Sequence, residues 1–181
     1  MGEGRGVEKK KERYHHGDLA HALVREATQM VEAGPHSQFS LRDLAGRVGV
    51  SAPAVYRHFA DKEALQAAVA AVGFQELLAE LEAASASGPP LARLCALGDT
   101  YAAFAARRPA MFRLMMETAR PEDGATPLRA LIERTVTACG AEQPDMPVTV
   151  VWSLMHGAAT LGFGEGVGAI LARIIPRVLF S

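Results

Sequence analysis

The sequence predicts an all-α chain of about nine helices, on three observations. Alanine, the strongest helix former and scarce in strands, fills 33 of the 181 positions. Apolar residues recur at three- and four-residue steps, while no stretch alternates with the period of two that a strand requires. Ser, Asp and Pro stand just ahead of the apolar stretches and Gly or Pro just behind them, where helices start and stop. A chain of this length buries a core without covalent staples, so Cys95 and Cys139 read as ordinary core thiols.

Residues 1–13 are rich in glycine and charge and carry Lys9, Lys10 and Lys11, which predicts a flexible basic tail. Asp18 is the expected cap of a first helix with the stripe Leu19, Ala22, Leu23, Ala27, Met30 and Val31, ended by Gly34-Pro35. Ser40 caps a short helix from about Leu41 to Val48, stopped at Gly49. Ser51 caps the next, about Ala52 to His58, with Pro53 in the first turn where its missing N–H costs little. Asp61 opens a long helix to about Ala84, striped by Ala64, Leu65, Ala68, Val72, Gln75 and Leu78. After the break at Ala83–Pro90, helices are expected at about Leu91–Ala106, Pro109–Thr118, Pro127–Cys139, Pro147–Phe163 and Gly168–Phe180.

The net charge of −1 would argue against nucleic acid if the charge were evenly spread. Residues 1–62 instead carry a net +2 and residues 63–181 a net −3, and five of the six histidines fall in the first part. No window holds 18 unbroken apolar residues. The nearest, Val148 to Gly164, is interrupted by Ser153, His156 and glycines, and the N-terminus lacks the apolar stretch of a signal peptide. The expectation is a cytoplasmic protein with no membrane partner.

The most informative segment is LRDLAGRVGVSAPAVYRHF, Leu41 to Phe59, in which two short helices are joined only by Gly49-Val50-Ser51. So tight a corner needs a small residue where the helices meet, Ala45, a residue that tolerates left-handed backbone, Gly49, and apolar contacts from Leu44, Val48, Val50 and Val55. The outer face of the second helix then shows Ala52, Ala54, Tyr56, Arg57 and His58, with Lys62 just beyond. In a helix-turn-helix the N-terminal part of this second helix enters the major groove. Ala52, Pro53 and Ala54 suit thymine methyls and Arg57 suits guanine O6/N7. Ser51 at the helix N-terminus, Tyr56, His58 and Lys62, with Ser40 and Arg42 on the preceding helix, suit phosphate, as do Tyr14, His15 and His16 at the start of the first.

These residues carry a resemblance to a known family. RYHHGDLAHALVREA at Arg13–Ala27 and SLRDLAGRVGVSAPAVYRHFADKEAL at Ser40–Leu65 resemble the N-terminal domain of TetR-family transcriptional regulators. VWSLMHG at Val151–Gly157 resembles the Trp-His-Gly motif of one branch, through Trp152, His156 and Gly157. The resemblance implies a helix-turn-helix DNA-binding domain over 14–62 and an effector-binding and dimerisation domain over 63–181. It further implies a homodimer on a palindromic operator, released from DNA by a small molecule. The family's dimer forms through its last two helices, whose Gly and Ala residues here would let helices approach closely.

Tyr101, Phe104, Met111, Phe112, Met115, Met116, Trp152 and His156 are an apolar and aromatic set able to line an effector pocket or simply to fill the core. Other signals lack their context. GEGVGA at Gly164–Ala169 fits a dinucleotide fingerprint, but no strand precedes it and it reads as an interhelical hinge. His15, His16 and His21 have no spacing that sets two ligands on one helix face, so neither metal nor cofactor is expected. An alternative, a small-molecule-binding protein or enzyme with a degenerate helix-turn-helix, needs a nucleophile, base or metal cluster in residues 85–181, where the sequence offers none. A regulator without an effector is the third reading.

Overall fold

Nine helices and no strand make up the described residues of the computed structural model, which are 16–34, 40–118, 125–142 and 144–179. They are α1 (His16–Glu32), α2 (Leu41–Val48), α3 (Ala52–Tyr56), α4 (Lys62–Ala84), α5 (Pro90–Arg107), α6 (Pro109–Thr118), α7 (Ala125–Ala138), α8 (Asp145–Thr160) and α9 (Val167–Leu179). The basic tail expected over 1–13 lies outside the described residues.

Several ends differ from expectation for identifiable reasons. Helix α1 begins at His16, so Asp18 is its third residue and not its cap; an acidic residue suits either place, because the helix dipole is positive there. Helix α3 stops at Tyr56, where the N–H groups of His58 and Phe59 both turn back to the Val55 carbonyl, at 2.9 and 3.0 Å. Helix α8 starts at Asp145, placing Pro147 in its first turn, and ends at Thr160, three residues early. There Gly162 takes left-handed backbone at φ 79° and the Phe163 N–H reaches the Ala158 carbonyl at 2.8 Å, a closure that leaves no room for another turn.

The first three helices and the start of α4 enclose Leu23, Ala27, Leu44, Val55, Phe59 and Leu65, all buried. Helix α5 runs through the body against α4, α6, α7, α8 and α9, and buries Leu94, Leu97, Tyr101 and Phe104 completely. Each such side chain stabilises the fold by about 1.5–3 kcal/mol relative to exposure. Among the described residues, α4 alone has the length and composition to cross a membrane. Its Leu65, Val69, Ala70, Gly73, Leu77 and Leu81 are packed into the protein.

Helices α5 and α9 approach each other closely. A Cβ on Gly98 would lie 2.6 Å from Leu171 Cδ1, and one on Gly168 would lie 2.7 Å from the Cys95 carbonyl oxygen and would also collide with Asp99. The Gly168 N–H, at the unsatisfied end of α9, donates to Asp99 Oδ1 at 2.8 Å, so a carboxylate on α5 caps α9 from across the interface. Gly168 thus serves an intramolecular contact with α5.

Candidate nucleic-acid interface

The corner between α2 and α3 is built as its residues dictate. Ala45 is buried, Gly49 adopts φ 76° and ψ 29°, and the N–H groups of Gly49 and Val50 both reach the Ala45 carbonyl, the latter at 2.9 Å. Nothing lies within 4 Å of a Cβ placed on Gly49, so the requirement there is for left-handed backbone and not for space.

Helix α3 presents Pro53 and Tyr56 to solvent, Tyr56 at 56% exposure, and Arg57 is exposed at its C-cap. Ala52 is half-buried. Ala54 is not on this face: it is 8% exposed and joins Val55 in the core, because a helix of only five residues gives its inward side to 54 and 55. His58 is half-buried with Nε2 enclosed and unpartnered, so it also departs from the open face. Ser51 stands exposed at the start of α3, without a side-chain cap bond. Lys62 is the first residue of α4 and Arg42 is exposed on α2.

Ser40 is engaged in a way the sequence reading missed. Its hydroxyl donates to Asp43 Oδ2 at 2.6 Å and accepts the Asp43 N–H at 3.1 Å, while its own N–H donates to the same carboxylate at 3.0 Å. This capping box was legible in the spacing Ser40-x-x-Asp43. The hydrogen bonds from the Ser40 side chain and backbone hold the Asp43 carboxyl below the usual aspartate range. Tyr14 and His15 lie outside the described residues, and His16 enters as the first residue of α1.

The apolar set of the body divides into four. Tyr101 on α5, Phe112 on α6, and Trp152 and His156 on α8 come together: the rings of Tyr101 and Phe112 meet edge to face at 5.6 Å, and those of Trp152 and His156 are parallel within 3° at 6.3 Å. The four-residue spacing puts Trp152 and His156 on one helix face. Tyr101 Oη and His156 Nδ1 are 3.1 Å apart. Burial pushes the Tyr101 phenol far above its ordinary ionisation range, so it stays protonated, and the direction of its bond with Nδ1 follows the imidazole tautomer. Met111 and Met115 instead close over Gly73 of α4, and Phe104 lies beneath the Arg108 guanidinium at 5.5 Å. Met116 is half-buried at the margin of the core.

Arg108 falls between the helices expected at Leu91–Ala106 and Pro109–Thr118. It is the single residue between α5 and α6, and its side chain crosses to two other helices. Nε donates to Glu32 Oε1 at 2.6 Å, Nη1 donates to Glu76 Oε2, and the side chain is 20% exposed. Burial lowers the guanidinium's affinity for its proton, but the hydrogen bonds and charges of Glu76 and Glu32 prevail and hold it above the ordinary arginine value.

A tight helical corner with an exposed second helix, carried on a larger helical body, defines a helix-turn-helix regulator of transcription. Residues 23–69 match the bacterial regulatory proteins of the tetR family, and residues 94–173 match the tetracyclin repressor-like C-terminal domain. The chain therefore belongs to the TetR family of DNA-binding transcriptional regulators, and it is not an enzyme. Among solved structures it is similar to a protein of unknown function from Rhodococcus sp. RHA1, with 28% identity, a TM-score of 0.75, and coverage of 94% of this chain and 100% of that one. A tetR-family regulatory protein from Rhodococcus RHA1 shares the fold at 20% identity, TM-score 0.62, over 88% and 94% of the two chains. So does a TetR variant from Acinetobacter baumannii AYE in complex with minocycline, at 20% identity, TM-score 0.63, over 89% and 98%. No curated protein matches the chain significantly.

Proposed function

We propose that the chain is a ligand-responsive repressor that binds a palindromic operator as a homodimer. The observation that carries this reading is the α2–α3 corner, with Pro53, Tyr56 and Arg57 exposed on the second helix and its C-cap. Entry of α3 into the major groove brings Ala52 and Pro53 toward base methyls and Arg57 toward guanine. Ser51, Tyr56, Arg42 and Lys62 flank the groove and take phosphate, and the same role is proposed from the sequence for Tyr14, His15 and His16. Ser40 contributes through the helix end it caps, since its hydroxyl is already engaged.

Two copies join through α8, α9 and the turn between them. Of the five large apolar side chains exposed among the described residues, Met146, Leu161, Phe163 and Ile170 belong to this region. Such a concentration marks a surface that another protein covers. The effector is a small organic molecule held at Tyr101, Phe112, Trp152 and His156, where the rings of Phe112 and Trp152 flank the hydrogen-bonded pair Tyr101 and His156. The A. baumannii neighbour holds minocycline, so a small-molecule ligand suits this architecture. A DNA-binding regulator of this kind acts in the cytoplasm.

Selection of bound duplexes from random DNA tests the reading. A recovered palindrome whose affinity falls steeply with salt supports it, because neutralised phosphates release counterions. Recovery of no sequence, or binding insensitive to salt, overturns it. Arg57→Ala should change the preferred bases, whereas Lys62→Ala should weaken all sequences alike.

A further inference from the structure

The Arg108 junction ties together parts of the chain that packing leaves partly open. Helices α1 and α4 leave an open groove of about 660 Å³ between them, with Val24, Thr28, Ala68 and Val72 along it and Glu32, Glu76 and Arg108 among its lining residues. Glu32 is the last residue of α1, and α1 is bonded in turn to α2 by Glu26 and Arg47 at 3.3 Å. On its other side Arg108 belongs to the aromatic cluster's own backbone: its carbonyl accepts the Phe112 N–H at 2.9 Å, and its N–H donates to the Phe104 carbonyl at 3.0 Å. Pro109 follows directly, which disfavours helical geometry at Arg108 and keeps the corner bent, at φ −130° and ψ 58°.

We propose that Arg108 is the positioning residue that couples the state of the Tyr101–Phe112–Trp152–His156 cluster to the orientation of the DNA-reading helices, through Glu32 on α1 and Glu76 on α4. The coupling rests on the regulatory reading above for its meaning, and on the ion triad for its mechanism. With the guanidinium between them, the two carboxylates are drawn together and α1 is held to α4. If α6 shifts, Phe112 carries Arg108 with it, and two like charges are left facing each other. The sign of the force between α1 and α4 then reverses, so a small displacement has a discrete effect. A lysine could not reproduce this, because one ammonium lacks the planar fork that serves both partners.

A four-protein cycle tests the proposal without an identified effector. Phe112→Trp acts as a wedge at the cluster, Arg108→Gln removes the fork, and the native chain and the double variant complete the set. Operator affinity is measured on the duplex selected from random DNA. The wedge should shift affinity roughly fivefold or more in the native background and by less than about twofold beside Arg108→Gln. Equal shifts in both backgrounds overturn the coupling. If the native chain selects no duplex, the regulatory reading fails, and the same cycle is scored by amide hydrogen exchange in the last turn of α1: non-additive rates support the coupling and additive rates overturn it. Adding Glu32→Gln to Arg108→Gln should slow that exchange again by relieving the repulsion, a rescue that simple loss of packing would not produce. Phe112→Leu replaces the wedge if the tryptophan variant does not fold.

Discussion

Ser40 and Asp43 show how much a single pair can do at the entrance to the reader. Their reciprocal bonds satisfy two N–H groups at the start of α2, and α2 has only eight residues over which to be stable. Ser40→Ala should lower stability by about 1 kcal/mol, read as a fall in thermal midpoint. Asp43 adds a pH dependence. Its folded carboxyl titrates below the unfolded value, so its contribution is complete above the ordinary aspartate range, roughly pH 4, and is lost as pH falls through the lower folded value. The midpoint difference between the native chain and Asp43→Asn should therefore shrink as pH drops below about 4. A difference that stays constant down to pH 3 would mean the carboxylate is not acting as a cap.

Between helices, three glycines separate contacts that yield from contacts that do not. At Gly168 an added methyl meets the Cys95 backbone, which cannot rotate away, so Gly168→Ala should cost about 1–3 kcal/mol. At Gly98 it meets Leu171 Cδ1 and Val167 Cγ1, and at Gly73 the sulfurs of Met115 and Met111 at 2.7 and 2.8 Å, all of them side-chain atoms. Methionine bends readily, and alanine is the better helix former by about 1 kcal/mol, so Gly73→Ala should be close to neutral and Gly98→Ala intermediate. Chemical denaturation of the three variants gives the order directly.

The same contacts mark how far the sequence could be read. Helix starts at Ser40, Asp61 and Pro109 were legible, because capping and the missing proline N–H are local chemistry. The end of α8 was not, since a closing turn at Gly162 competes with an apolar pattern that runs on to Phe163. Small residues on the last helix said that something approaches closely, without saying that it is α5. The side-by-side placement of Trp152 and His156 was legible through their four-residue spacing, but the packing of Met111 and Met115 against α4 was not. Arg108 gave no signal at all, because its partners lie 76 and 32 residues away.

For the whole molecule, a near-neutral chain contains a reader of positive charge and a body of negative charge, a division that favours presenting α3 and not the body to DNA. The apolar side chains of the body gather at its far helices, with Leu161 at 75% and Phe163 at 62% exposure. If this surface holds two copies together, Ile170→Glu with Phe163→Asp should halve the sedimenting mass and reduce operator affinity sharply, since each reader alone grips only half a palindrome. A double variant that sediments like its parent would place the partner surface elsewhere.

The cap that Asp99 provides for Gly168 also imposes an order in time. The two residues are 69 positions apart, so the N-terminus of α9 gains its carboxylate partner only after a long loop has closed on α5. Helix α9 is therefore expected among the last elements to consolidate, once α5 has its neighbours. The proposed partner surface includes Ile170 of α9, so it is completed late. Pairing of copies would then follow folding of each, which keeps half-made chains from joining one another.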